Sequence, residues 1–217
     1  MDLSFTRKEI VWIIIALLLF AFITGISIKN DKLIIDYNLN SIIIPVLIIF
    51  VSIIAKKIAA NFSNIKIEHE VWKFQRWGWY KRSYFKKPFP IGIVLPFFIA
   101  VFSLGIIKPL TFLQFNAENL REKRILRQRG RIRKTEINEY DLSFTSSVGF
   151  YSLILLSTIG IIFKYPELAK YPIYYGMWNM VPFGNLDGSK IFFWNAFHWI
   201  FLVILYILFL IGVILFI

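Results

Sequence analysis

The sequence predicts an all-α polytopic membrane protein with about five to six membrane segments, and two observations carry this prediction. Apolar residues make up 58% of the 217 residues and charged residues only 18%, against roughly 45–50% and about 25% in a soluble domain. Five charge-free stretches approach or exceed the ~20 residues that span a bilayer: 10–28, 37–55, 88–107, 142–163 and 191–217. This composition excludes a secreted soluble enzyme and a disordered chain.

The first two stretches predict an N-terminal transmembrane hairpin over residues 1–56. Arg7 and Lys8 precede the first stretch, which resembles the start of a signal peptide. The apolar run is longer than a usual cleaved segment, and no A-x-A-type site follows it. We therefore expect a retained helix.

The charges predict the orientation of the chain in the cell membrane. Basic side chains outnumber acidic ones by 25 to 13 and lie mostly between the apolar stretches, above all in residues 56–87. The positive-inside rule places this multi-pass protein with its N-terminus and basic loops in the cytoplasm. Contact with anionic lipid explains the surplus, so the lipid bilayer is the expected partner and no specific nucleic acid is expected. The chain has no cysteine, which excludes thiolate chemistry.

The third stretch, 88–107, contains Pro88, Pro90, Pro96, Gly92 and Gly105. Proline is poorly tolerated inside a helix, so a re-entrant hairpin is favoured over a kinked crossing. A hairpin also returns both flanks to the cytoplasm and keeps there the basic segment 108–141. Residues 57–217 would then form the membrane core.

Residues 171–190 predict a broken helix. The segment is apolar but contains several Gly, Pro and Asn residues and one acid, Asp187. An unwound intramembrane backbone is tolerated where it lines a cavity. An ionisable residue there indicates a functional site, although Asp187 could instead cap a helix starting at Ser189.

Residues 179–188, NMVPFGNLDG, resemble the N-x-x-P-x-x-x-L-D-G signature of the site-2 protease family of intramembrane zinc metalloproteases. This resemblance implies that Asp187 is the third zinc ligand. It also implies that Asn179 and Pro182 contact a substrate peptide.

The family's second motif, H-E-x-x-H on an earlier helix, is matched in part by His69-Glu70. The resemblance makes His69 a zinc ligand and Glu70 the catalytic base. Lys73 stands at the second histidine's position, where an ammonium group has no lone pair for a metal. Residues 65–82 also fit an amphipathic helix at the membrane interface, which needs no metal.

His198 could complete a metal site only with a sharp turn in the chain. It follows Asp187 by eleven residues, about 16 Å along a continuous helix. We therefore expect a hydrogen-bonded histidine there.

These motifs support three hypotheses. The first is a site-2-protease-like metallopeptidase that cleaves transmembrane peptides with zinc-activated water. The alternative is an inactive relative, an adaptor that binds transmembrane helices or lipid. A third is a small transporter with Asp187 as its ion site. The first two require Asp187 to lie against His69 and Glu70 at the same membrane face.

Overall fold

The computed structural model describes residues 4–29, 32–35, 39–76, 84–119 and 137–216. Within these ranges the chain is mostly helical. The helices are α1 (Arg7–Gly25), α2 (Leu39–Phe62), α3 (Ile91–Phe102), α4 (Glu139–Ile162), α5 (Pro166–Asn179), α6 (Asp187–Trp194) and α7 (Ala196–Phe216). The strands are β1 (Ile26–Lys29), β2 (Lys32–Ile35), β3 (Ile65–Val71), β4 (Phe74–Arg76), β5 (Tyr84–Phe89) and β6 (Leu113–Asn119).

Four of these helices, α1, α2, α4 and α7, are long and apolar enough to cross a membrane. They coincide with four of the five charge-free stretches. The remaining stretch, 88–107, contains only the 12-residue helix α3. The described residues therefore show fewer helices of spanning length than the five to six segments predicted. Half of the basic segment 108–141, including 121–134, lies outside the described residues.

The prediction of an all-α fold is incomplete, because the described strands form three two-stranded antiparallel sheets, β1–β2, β3–β6 and β4–β5. Strand β3 has the sequence IKIEHEV, and its residues alternate between buried and half-buried. This period of two is the pattern of a strand with one buried face. The predictions of a helix carrying His69 and Glu70, and of an interfacial helix from residue 65 onward, are therefore wrong.

The chain enters and leaves the segment 92–112 beside one residue, Trp72. The Gly92 N–H donates to the Trp72 carbonyl (2.9 Å), and the Trp72 N–H donates to the Phe112 carbonyl (2.8 Å). Between these points the segment reaches the C-terminal end of α1, where Lys108 Nζ donates to the Thr24 carbonyl (3.0 Å). These hydrogen bonds bring the two ends of the segment together at Trp72.

One apolar cluster joins α1, α2, α3, α4, α5 and β6. Phe20 of α1 stacks on Tyr175 of α5, with ring centroids 5.8 Å apart. A second cluster joins α4, α5, α6 and α7 around Tyr206. Residue 56, the boundary predicted between hairpin and core, lies within α2.

The α4–α5 contact depends on Gly160. A Cβ at this position would overlap the backbone of Ala169, whereas a Cβ at Gly212 on α7 would meet nothing within 4 Å. We expect Gly160→Ala to lower the free energy of unfolding in detergent by about 1–3 kcal/mol through overpacking. The same change at Gly212 should be neutral or stabilising, and equal losses at both positions would contradict this packing.

Candidate functional site

The centre of the molecule contains a buried ion pair between Lys56 and Asp187, which are 131 residues apart in the chain. Lys56 Nζ donates to Asp187 Oδ2, and the two side chains are 7% and 3% exposed. Helix α5 ends at Asn179 and α6 begins at Asp187, so the predicted break in the helix delivers this carboxylate into the core. Gly149 of α4 makes room for the Lys56 stem, because a Cβ there would lie 2.6 Å from Lys56 Cε.

A second lysine, Lys190, lies one helical turn after Asp187. Its Nζ is 3.8 Å from Asp187 Oδ1, beyond hydrogen-bond distance. It donates instead to the Phe115 carbonyl (2.8 Å) and lies 3.1 Å from the centroid of the Phe115 ring. Two ammonium groups therefore face one carboxylate.

A neighbouring buried cluster is centred on Glu9 in the first turn of α1. Its carboxylate accepts from Lys57 Nζ (2.8 Å) and from the backbone N–H of His69 (3.1 Å), and it lies 2.9 Å from His69 Nδ1. All three side chains are nearly inaccessible to solvent. This contact ties the start of α1 to the end of α2 and to β3.

His69 is neutral near pH 7. Burial lowers the pKa of His69 to about 4; the hydrogen bond to Glu9 opposes this shift, and the nearby charge of Lys56 adds to it. The carboxylate of Glu9 can only accept, so we assign the ring proton to Nδ1. His69 Nε2 is buried and has no hydrogen-bond partner among the described residues.

Glu70 lies on the opposite face of β3, because successive side chains of a strand alternate. It accepts from Lys73 Nζ, from Gln114 (2.9 Å) and from Asn116 (2.7 Å). Burial raises the pKa of Glu70, but these partners outweigh it and hold the pKa below its ordinary value. The predicted base therefore lies on the other face of β3 from the buried His69, although both residues line one cavity of about 340 Å³, and Lys73 is engaged with Glu70.

The other predicted site residues have separate surroundings. Asn179 is buried and donates to the carbonyls of Leu110 (3.2 Å) and Tyr175 (2.7 Å). Pro182 is exposed and lines an apolar groove of about 220 Å³ between α5 and α7. His198 Nε2 lies 3.1 Å from Ser147 Oγ. His198 is therefore hydrogen-bonded, as the sequence predicts.

Zinc does not fit this arrangement. No group of three or more His, Cys, Asp or Glu side chains in the described part of the chain is placed to hold a metal ion. Asp187 faces the ammonium groups of Lys56 and Lys190, which have no lone pair and repel a cation.

Three residues of the buried clusters, Glu9, Lys56 and Lys57, are not among the predicted site residues. Both lysines follow the second charge-free stretch, where the sequence predicts a loop. The run Ile58-Ala59-Ala60 continues the apolar pattern beyond them, and this signal could have extended the helix.

We expect His69 to make the protein less stable in acid. The folded pKa of about 4 lies below the ordinary 6.5, so the stabilisation is complete above pH 6.5 and is lost as the pH falls toward 4. Asn at position 69 retains a donor for Glu9 but does not titrate. In His69→Asn the free energy of unfolding should therefore fall by roughly 3 kcal/mol less between neutral pH and pH 4 than in the wild type. Unfolding in detergent at several pH values measures the difference, and superimposable profiles would refute it.

No family model, curated protein or solved structure matches this chain. Its function is therefore inferred from the geometry of the site and from the short motif at 179–188.

Proposed function

We propose that this chain is a non-proteolytic membrane protein with a site-2-protease-like architecture, which binds membrane-spanning segments of other proteins. The observation that carries the proposal is the buried ion pair between Lys56 and Asp187. Asp187 is the residue to which the motif resemblance assigns a zinc-ligand role. Its carboxylate is instead neutralised by an ammonium group.

The spacing of residues on α2 supports the loss of a metal site. Two zinc-binding histidines four residues apart lie on one face of a helix. On α2, Ser52 lies four residues before Lys56 and is 1% exposed. Ser52, Ile53 and Lys56 therefore occupy the positions that H-E-x-x-H would use opposite Asp187, and they supply no imidazole and no carboxylate.

We further propose that residues 88–107 form a re-entrant hairpin and that the N-terminus and basic loops face the cytoplasm. The hydrogen bonds of Gly92 and Phe112 to Trp72 support the hairpin, because they bring its two flanks together. The positive-inside bias supports the orientation.

The groove lined by Pro182 is the proposed place for the apolar part of the bound segment. Its polar atoms are satisfied internally, since Trp199 Nε1 donates to the Met180 carbonyl (2.9 Å) and the Tyr206 hydroxyl donates to the Phe150 carbonyl (2.8 Å). Methionine side chains at the groove suit variable apolar partners. The resemblance assigns substrate contact to Pro182, which favours a transmembrane peptide as the occupant.

Energy transfer in phosphatidylcholine vesicles tests this proposal. Labelled protein is titrated with a labelled peptide that carries an apolar Leu/Ala segment of about 20 residues. We expect saturable transfer that a zinc chelator does not change, and an intact peptide at the end. Absence of saturation, or chelator-sensitive cleavage, would overturn the proposal.

A matched pair of variants locates the binding site. Val203 lines the groove, whereas its neighbour Ile204 is 53% exposed on α7. Val203→Trp should fill the groove and weaken transfer, and Ile204→Trp should leave it unchanged. Equal effects would place binding elsewhere and contradict the assignment of the groove.

A further inference from the structure

The buried ionic cluster contains more lysines than carboxylates among the described residues. Among the described residues, Lys57 is matched by Glu9, and His69 is neutral near pH 7. Lys56 and Lys190 share the single carboxylate of Asp187. Two lysines of this cluster therefore share one carboxylate, and burial lowers the pKa of Lys190 to about 7 although the charge of Asp187 opposes this shift.

Lys190 is the lysine that lacks an anionic hydrogen-bond partner. Lys56 donates directly to Asp187, whereas Lys190 Nζ is 3.8 Å from the nearest Asp187 oxygen. The Phe115 carbonyl and ring stabilise the ammonium group partly. Neither carries a negative charge, so the desolvation of Lys190 is only partly offset.

We propose that Lys190 binds a carboxylate carried by the membrane-spanning segment of a partner protein. This inference rests on the proposed function and names the class of segment, one that contains an Asp or Glu. Such a residue is costly in a bilayer unless it is paired. Pairing with Lys190 would neutralise the partner's acid and would supply a second carboxylate where Lys56 and Lys190 now share one.

Lys190 is the least buried of the three side chains in this ion pair network. It is 11% exposed, against 7% for Lys56 and 3% for Asp187. An ammonium group has three N–H donors, and the carbonyl of Phe115 takes one of them. An incoming carboxylate can therefore bind without breaking the Lys56–Asp187 pair.

The depth of the cluster sets the position of the partner's acid. Lys56 lies six residues before the end of α2 at Phe62, about 9 Å along the helix axis. The acidic residue should then lie about two helical turns inside the corresponding end of the partner segment.

Two otherwise identical Leu/Ala peptides test the inference in the same vesicles. The first carries Glu about two turns from one end, and the second carries Gln at that position. We expect the first to bind about tenfold more tightly than the second, which corresponds to about 1.4 kcal/mol. Lys190→Gln should abolish this preference while the Gln peptide binds as before.

Two further variants control for the loss of a lysine elsewhere and for misfolding. Lys170→Gln changes an exposed lysine at the start of α5 and should leave the preference intact. If Lys190→Gln fails to fold, Lys190→Arg, which keeps the charge, should retain the preference, and a loss there would contradict the inference.

The outcomes separate this inference from the proposed function. Equal binding of the Glu and Gln peptides by the wild type would overturn the inference and leave the proposed function standing. Absence of binding by every peptide would overturn both. Oleate, a lipid carboxylate, is tested as an alternative ligand. Binding of oleate that depends on Lys190, without a preference for the Glu peptide, would assign the site to a fatty acid and overturn the peptide proposal.

Discussion

The triple variant Ser52→His, Ile53→Glu, Lys56→His is expected to bind about one Zn²⁺ per chain. It places two imidazoles four residues apart on α2 and opposite the buried Asp187, and it removes the ammonium group that donates to this carboxylate, while Lys190 remains 3.8 Å away. Three protein ligands and an open position are the usual composition of a catalytic zinc site. Metal analysis of the detergent-purified variant provides the measurement.

Lys73→His is the matched control for this variant. It completes a literal H-E-x-x-H sequence at 69–73, but His69 lies in strand β3. Strand β3 ends at Val71, so residues 69 and 73 do not share a helix face as two zinc-binding histidines would, and the buried His69 is bound to Glu9. We expect no zinc binding by Lys73→His, and about one Zn²⁺ per chain in this variant would refute the account.

Removal of Lys56 alone should strongly destabilise the fold. Lys56→Met leaves Asp187 buried without its hydrogen-bonded cation, and breaking a buried pair from one side costs about 3–5 kcal/mol. Lys190, which is 3.8 Å away, should hold the loss near the lower end of this range. The double variant Lys56→Met, Asp187→Leu should recover most of the lost stability, because no uncompensated carboxylate is left.

Unfolding free energies in detergent test this pattern. An exposed pair provides the control: Lys66 and Glu68 are 3.6 Å apart and each is 34% exposed. Lys66→Met should cost at most about 1 kcal/mol. A loss of similar size for Lys56→Met, or no recovery in the double variant, would show that the buried pair contributes little.

The sequence was sufficient for features that depend on local composition. Four apolar stretches became helices of spanning length, because hydropathy reports directly on transfer into lipid. The break before Asp187 was also visible, since Pro182 and Gly184 interrupt the helical pattern. Gly184 has a φ of +62°, which favours glycine over other residues.

The ion pair could not be predicted in the same way. The two residues are 131 positions apart, and no local pattern identifies the partner of a buried lysine. Lys56 and Lys57 follow a charge-free run and were therefore counted as loop charges. For His69 the short motif was preferred to the period-two alternation of IKIEHEV, although the alternation spans more residues and correctly indicates a strand.

The zinc content of the wild-type protein tests the central claim most directly. The protein is purified in detergent from zinc-supplemented cells without chelators, beside Asp187→Ala as the reference. We predict far less than one zinc per chain in the wild type, and no decrease in Asp187→Ala. A content near one Zn²⁺ per chain that Asp187→Ala removes would contradict the account, because the Asp187 carboxylate would then hold a metal and not Lys56.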